Sequence, residues 1–271
     1  MTSLIIKNIF DYFNYLESLS DPRPKGWFMV DSPFPTLFWL FMYFLMVWIG
    51  PKIMQNRKPF KIRKFLAFYS FSLAVQSFYI SYKYITAAYR LNYNLYCELS
   101  VPLWTPDDMQ IVKTTWILYM TKLVELSDTL FFILRKKDKQ LSFLHVYHHS
   151  ITFFSAWIGI KFIPSGTIAT GAAVNSLVHV HMYIYYGLAA LGVEAKKILW
   201  LKKYVTTLQL IQFVAFAFFG IKAYFIGCKF PSLMIKFFCI NVLLFCVLFG
   251  QFYVKEYIKD CRTTKNESKN K

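Results

Sequence analysis

The sequence predicts an all-α membrane protein with seven transmembrane helices, and three observations favour this fold class. Of its 271 residues, 56% are hydrophobic and 20% are aromatic, which is unusual for a soluble domain. Apolar windows of about 20 residues, the length that crosses a bilayer core as a helix, recur along the chain. Lys and Arg accumulate in alternate connections between these windows, as they do in polytopic membrane proteins.

The apolar windows divide the chain into three parts. An N-terminal segment covers residues 1–35, the transmembrane domain covers 36–254, and a basic tail covers 255–271, with an end that we expect to be disordered. The second window is the most interrupted, because Lys83 and several Ser and Tyr residues fall inside it. The windows are 36–54, 65–89, 113–134, 141–163, 168–190, 204–226 and 233–254.

The basic residues orient these helices across the membrane. Segment 1–35 carries three Lys or Arg, and three connections carry one each, at Arg90, Lys161 and Lys229. The positive-inside rule therefore places the N-terminus in a lumen or outside the cell and the C-terminus in the cytosol. The rich connections carry six, four, four and six Lys or Arg: 51–64, 135–139, 191–203 and 255–271.

The net charge of +17 is thus concentrated on the predicted cytosolic side. It suits anionic lipid headgroups, or the phosphates of a substrate that arrives from the cytosol. Nucleic acid is not indicated as a partner, because no basic helix or aromatic stacking surface lies outside the windows.

Four consecutive windows carry stripes of polar residues, and together they hold all five histidines of the protein. Ionisable groups inside a membrane are costly, so their convergence indicates a functional site. Taken singly, an amide or hydroxyl most often bonds a neighbouring helix, and Tyr183, Tyr185 and Tyr186 are also typical of an aromatic belt. The stripes are Lys122, Glu125 and Thr129 with Asp128; His145, His148 and His149; Asn175, His179, Met182, Tyr183 and Tyr186; and Thr206, Gln209 and Gln212.

These residues resemble the very-long-chain fatty acid elongase (ELO) family of membrane 3-ketoacyl-CoA synthases over about residues 20–255. The resemblance lies in KLVELSDT from Lys122, HVYHH from His145, NSLVH from Asn175, MYIYY from Met182 and TTLQLIQF from Thr206. It implies a seven-helix enzyme of the endoplasmic reticulum that needs no cofactor. The enzyme would condense a long-chain acyl-CoA with malonyl-CoA into a 3-ketoacyl-CoA that is two carbons longer, and release CO2 and CoA.

Two features depart from the family pattern. His181 stands where a small or aliphatic residue is expected and is turned to a different helix face from His179, so its role stays open. The C-terminus has Lys269 but lacks the second lysine of a dilysine retrieval signal. Residence in the endoplasmic reticulum therefore rests on the resemblance alone.

The chemistry of decarboxylative condensation fits the histidines. It requires an activated acyl group, an enolate formed by loss of CO2, and donors for the charge on each thioester oxygen. No Cys accompanies the polar cluster, so imidazole is the candidate nucleophile, and a dry site would keep it neutral. We predict that His148 attacks the thioester; a ternary mechanism with His148 or His179 as base is the alternative.

The other site residues receive supporting roles. His145 and His149 would act as base, orienting partner or oxygen donor, with Glu125 or Asp128 fixing the tautomer. Asn175 and Gln209 would stabilise an oxyanion or enolate, and Lys122 completes the catalytic set. The predicted substrate-binding residues within the windows are Tyr147, Met182, Tyr183, Tyr186, Gln212 and Thr206. The site would open toward the cytosolic side. There the CoA phosphates would be bound by Arg135, Lys136, Lys137, Lys202 and Lys203.

Two rival functions use the same features. An iron-dependent membrane fatty acyl desaturase or hydroxylase also clusters histidines, but such enzymes carry about eight, and this chain has five. A seven-helix receptor would share the topology without a reason for the buried charges. The sequence leaves open whether other enzymes of an elongation cycle or a second copy of the chain are partners. It also leaves open a disulfide between Cys97 and Cys228.

Overall fold

The computed structural model describes residues 14–15, 17–93, 102–164, 166–226 and 232–259, and the regular structure in these ranges is entirely helical. The all-α prediction is therefore confirmed. A 3₁₀ helix spans Asp138–Gln140 and a π-helix spans Val254–Lys259. The α-helices are α1 (Phe34–Met54), α2 (Arg63–Arg90), α3 (Pro106–Glu125), α4 (Ser127–Leu134), α5 (Phe143–Phe162), α6 (Gly166–Leu191), α7 (Ala195–Ile226) and α8 (Ser232–Tyr253).

Each predicted window coincides with helix, although two begin earlier than expected. α3 begins at Pro106 rather than at residue 113, because Thr105 caps the helix by accepting from the backbone N–H of Asp108 at 3.3 Å. Asp107 and Asp108 in its first turn favour this start by complementing the helix dipole. α7 begins at Ala195, where the basic connection continues directly into the helix.

Among the described residues, three helical stretches are long and apolar enough to cross a membrane by length and composition: Phe34–Met54, Lys197–Ile226 and Leu233–Ile258. They establish the chain as a membrane protein. Helices α2 to α6 contain more polar residues, which lower their hydropathy. The count of seven spans stays a prediction.

Six of the helical segments form a closed ring, in which each packs against the next in the order α2, α3, α5, α8, α7, α6 and back to α2. α1 lies outside the ring against α4 and α5. The contact between α2 and α6 is close: a Cβ added at Gly187 would lie 2.7 Å from the ring of Phe71. The ring encloses an interior toward which the polar stripes can point.

The third window is broken at Leu126 into α3 and α4, which the sequence did not predict. The window contains no Pro or Gly that would explain a break. Instead the hydroxyl of Tyr69 on α2 donates to the carbonyl of Val124 at 3.1 Å, and the N–H of Leu126 bonds Leu123 in a tight turn at 3.3 Å. Insertion of a side chain into the helix ladder is a known cause of such breaks.

The N-terminal segment folds back over one end of the ring. The guanidinium of Arg23 is buried against the carboxylates of Asp21 and Asp108. Burial opposes its charge, but the two carboxylates outweigh this and raise the pKa of Arg23. The indoles of Trp116 and Trp157 each donate at 3.1 Å to a carbonyl of this segment. These contacts fix the segment against α3 and α5.

Candidate active site

The broken helix places a charged pair inside the ring. The ammonium of Lys122 lies 2.9 Å from Oε2 of Glu125, one turn along α3. Oε1 of the same carboxylate lies 3.3 Å from Nδ1 of His179 on α6. All three side chains are buried, so Glu125 neutralises Lys122 and also faces an imidazole.

Asp128 lies beyond the break and faces a different partner. Its Oδ2 accepts a hydrogen bond from the hydroxyl of Tyr183 at 3.0 Å. The Tyr183 ring lies 5.9 Å from the ring of His179 and 5.9 Å from that of Tyr186, between ring centroids. The carboxylates of Glu125 and Asp128, on either side of the break, thus face different side chains of α6, His179 and Tyr183.

The histidine motif occupies the first turns of α5. Ser142 caps the helix by accepting from the backbone N–H of His145 at 3.3 Å. The rings of His145 and His149 are 4.3 Å apart between centroids, and those of His148 and His149 are 5.6 Å apart. The helical spacing therefore brings the three imidazoles together as predicted.

The partner of His145 is a hydroxyl, whereas the sequence suggested a carboxylate. Nε2 of His145 lies 2.8 Å from Oγ1 of Thr129 on α4. That hydroxyl lies 3.0 Å from the hydroxyl of Tyr43 on α1. Glu125 and Asp128 have other partners, Lys122 and Tyr183.

His148 differs from the other histidines in its surroundings. Its ring lies 5.1 Å from Phe245 and 6.0 Å from Phe249, both on α8. Its Nδ1 is buried and has no hydrogen-bond partner in the described part of the chain. Phe213 of α7 completes this apolar cluster. His148 therefore stands at the border between the polar groups and an apolar surface.

The remaining site residues predicted within the windows lie on α5, α6 and α7. The hydroxyl of Tyr147 donates to Oδ1 of Asn241 on α8 at 2.5 Å. The amide of Gln209 donates to the sulfur of Met182 at 3.6 Å, and Gln212 is buried with an unbonded Oε1. Thr206 lies 3.2 Å from the hydroxyl of Tyr257, while Asn175 is half-buried one turn before His179.

The five residues predicted to bind the CoA phosphates differ in burial and in their partners. Arg135 is half-buried, and its pKa is lowered, first by burial and then by the positive charge of Arg63. Lys136 donates to the carbonyl of Gln55 at 2.8 Å, whereas Lys202 forms an ion pair with Glu256 of the π-helix. Lys137 and Lys203 are exposed.

His181 has partners outside the cluster, whereas Cys246 of α8 packs against the apolar cluster that borders His148. Nδ1 of His181 lies 2.9 Å from the carbonyl of Leu177, and its ring is 6.0 Å from Tyr204. Cys239 and Cys246 on α8 are free thiols. Cys97 and Cys228, and hence the disulfide between them, lie outside the described residues.

The site includes residues that the sequence analysis did not select. Tyr43, Tyr69 and Asn241 come from α1, α2 and α8, which carry no polar stripe. A single Asn within an apolar helix was the one available signal, because such a group must find a partner. The tyrosines are indistinguishable by sequence from the many that pack or face lipid.

In the described residues the cluster is not arranged as a metal centre, and a cavity between α2 and α6 lies apart from it. In the described ranges, no group of three or more His, Cys, Asp or Glu side chains is arranged to hold a metal ion. A cavity of about 340 Å³ lies between α2 and α6, lined by residues such as Tyr84, Ala169 and Ala173. None of the predicted site residues lines it.

The chain is similar to known proteins over nearly its whole length. Residues 28–265 match the model of ELO, the GNS1/SUR4 family. The chain is 38% identical over 264 residues to "Very long chain fatty acid elongase 5" of Xenopus laevis, an alignment that covers 97% of this chain and 89% of the relative. It is 37% identical over 257 residues to elongase 4 of Macaca mulatta, covering 95% and 82%, and 37% identical over 266 residues to elongase 1 of Mus musculus, covering 97% and 95%.

Proposed function

The chain belongs to the ELO (GNS1/SUR4) family and is a fatty acid elongase, and we propose that it carries out the condensation at His148. Its substrates would be a long-chain acyl-CoA and malonyl-CoA, and its products a 3-ketoacyl-CoA, CO2 and CoA. The observation that carries this proposal is the position of His148. Its ring lies 5.6 Å from that of His149, between centroids, and against the apolar cluster of Phe213, Phe245 and Phe249, which suits an acyl chain.

The first half-reaction transfers the acyl group to His148. Nδ1 is buried, so Nε2 is the nitrogen that meets the substrate. The lone pair of Nε2 attacks the thioester carbon, and the C–S bond breaks. The departing CoA thiolate takes up the proton that the neutral ring carried. An acyl-imidazole is itself a good acyl donor, so the intermediate would conserve the energy of the thioester.

The second half-reaction consumes malonyl-CoA. Loss of CO2 leaves an enolate, whose carbon attacks the acyl carbon while the C–N bond to His148 breaks and the ring regains a proton. Charge develops on thioester oxygen, which neutral donors such as Gln209 and Asn175 would stabilise. The pair of Lys122 and Glu125 would hold His179 in place through the carboxylate.

A ternary reaction is the competing mechanism. In it malonyl-CoA and acyl-CoA would bind together, and His148 or His179 would act only as a base. Both mechanisms use the same residues, so they differ in whether an acylated protein forms in the absence of malonyl-CoA.

The membrane arrangement follows the charge pattern. We propose seven spans in the endoplasmic reticulum, with the N-terminus in the lumen and CoA entering from the cytosol. Arg135 and Arg63 support this direction, because two neighbouring cations at the basic end of α4 and α2 would be relieved by a phosphate.

The iron-dependent oxygenase is not favoured. The family membership points to elongation, and in the described residues the imidazoles have hydroxyl, carboxylate and aromatic neighbours and are not arranged to hold a metal ion. The proposed reaction requires no metal and no organic cofactor.

The proposal is tested with purified protein, malonyl-CoA and a panel of acyl-CoAs in the presence of a chelator. Formation of 3-ketoacyl-CoA by the wild type and its loss in His148→Ala would support it. A folded wild-type protein that makes no product from any acyl-CoA would refute it, and loss of activity on chelation would favour the metal enzyme.

A further inference from the structure

In the part of the chain that the structure describes, three buried tyrosine–threonine pairs connect helices, and one of them continues to a histidine. Tyr84 bonds Thr115 at 3.0 Å, and Thr36 bonds Tyr119 at 2.6 Å. The third pair, Tyr43 and Thr129 at 3.0 Å, extends to Nε2 of His145 at 2.8 Å from the threonine oxygen. Among the described residues, this pair alone reaches an imidazole.

The direction of the hydrogen bonds follows from where each hydroxyl hydrogen can go. Tyr43 is buried, and Thr129 is its hydrogen-bond partner in the described part of the chain. A buried hydroxyl that donates to nothing is costly, so Tyr43 donates to Thr129.

The hydrogen of Thr129 is then left for His145. Thr115 and Thr121 of α3 donate to carbonyls one turn earlier, at 2.8 Å in each case. Thr129 makes no such bond in the described structure, where its Oγ1 has Tyr43 and His145 as partners. Its hydrogen therefore points to Nε2, which must act as the acceptor.

We propose that Tyr43 and Thr129 are positioning residues that hold His145 as the tautomer with its proton on Nδ1. His145 then presents an N–H donor to the site and cannot serve as a base through Nε2. Of the roles open to this histidine, the arrangement removes that of a base at Nε2 and leaves those of a donor, either to a thioester oxygen or to the ring of His149, whose centroid is 4.3 Å away. The inference rests on the proposed function, because it assumes that His145 contributes to the condensation.

The test compares kcat and KM of Tyr43→Phe, Thr129→Val, Thr129→Ser and the double variant Tyr43→Phe/Thr129→Val. We expect Thr129→Val to lower kcat at least about tenfold with little change in KM for acyl-CoA, because the relay orients a catalytic group without touching substrate. Thr129→Ser should restore most of kcat, since serine keeps the hydroxyl. Tyr43→Phe should lower kcat, but should have no further effect in the Thr129→Val background.

Tyr84→Phe is the matched control, because it removes the same kind of buried hydroxyl from a pair that reaches no histidine. It should leave kcat near the wild-type value. Equal losses in Tyr43→Phe and Tyr84→Phe, additive losses in the double variant, or failure of Thr129→Ser to restore kcat would overturn the relay. These outcomes presuppose an active wild type, whereas an inactive wild type would refute the proposed function itself.

Discussion

Oε1 of Glu125 lies 3.3 Å from Nδ1 of His179, although the two residues belong to different helices and are more than fifty positions apart in the sequence. The other oxygen of the carboxylate is 2.9 Å from Lys122. One buried carboxylate therefore neutralises an ammonium and lies beside an imidazole whose Nδ1 makes no hydrogen bond in the described residues.

Glu125→Gln should abolish most of the activity and destabilise the protein. The substitution leaves the buried Lys122 without its counter-charge, which typically costs about 3–5 kcal/mol. Thermal unfolding in detergent and kcat measure the two effects. Glu194→Gln is the control, because Glu194 and Lys197 form an exposed pair of the same types and spacing; this change should alter neither quantity. Equal effects of the two substitutions would contradict the structural assignment.

Arg23→Gln should destabilise the protein without involving the histidines directly. Arg23 is buried between two carboxylates that would be left uncompensated, so we expect a loss of about 3–5 kcal/mol. Arg90→Gln removes a largely exposed partner of Asp107 and should cost at most about 1 kcal/mol. A thermal midpoint of Arg23→Gln equal to that of Arg90→Gln would show that the N-terminal segment is not anchored in this way.

Tyr147→Phe and Asn241→Ala should each lower kcat/KM, and their effects should not add. The Tyr147 hydroxyl bonds Asn241 at 2.5 Å, so either change breaks the same contact between α5 and α8. Residues in direct contact typically show coupling energies of about 0.5–3 kcal/mol in a double-mutant cycle. Strict additivity in kcat/KM would mean that the bond does not position the histidine helix.

Arg135→Gln should raise KM for acyl-CoA several-fold and leave kcat nearly unchanged. The residue is proposed to bind a CoA phosphate outside the reacting centre, where it would contribute equally to ground state and transition state. Lys139→Gln serves as the control, because Lys139 is an exposed cation of the same loop. An unchanged KM in Arg135→Gln would remove this residue from the phosphate site.

The positions of the helices could be predicted because apolar windows and alternating basic loops report the membrane directly. The convergence of His148, His179 and Glu125 could also be predicted, since ionisable residues in apolar helices must face an interior. The break at Leu126 could not, because it depends on a hydroxyl from α2 that enters the ladder of α3. Long-range contacts of this kind leave no local sequence pattern.

The partner of His145 illustrates the same limit. A carboxylate on the third window was a reasonable expectation from spacing in a continuous helix. Thr129 of α4 contacts His145 of α5 instead. Tyr43 of α1, a helix outside the ring, contacts Thr129 in turn. A tyrosine in an apolar span is usually a packing or interfacial residue, so its connection to a histidine emerges only in three dimensions.

The central claim is that His148 carries the acyl group, and the most direct measurement is the intact mass of the purified protein after incubation with acyl-CoA alone. The account predicts a mass increase equal to one acyl group, located on the peptide that contains His148, absent in His148→Ala and discharged when malonyl-CoA is added. An active enzyme that shows no such adduct after rapid quenching, and releases CoA only when malonyl-CoA is present, would contradict the acyl-histidine and establish the ternary reaction.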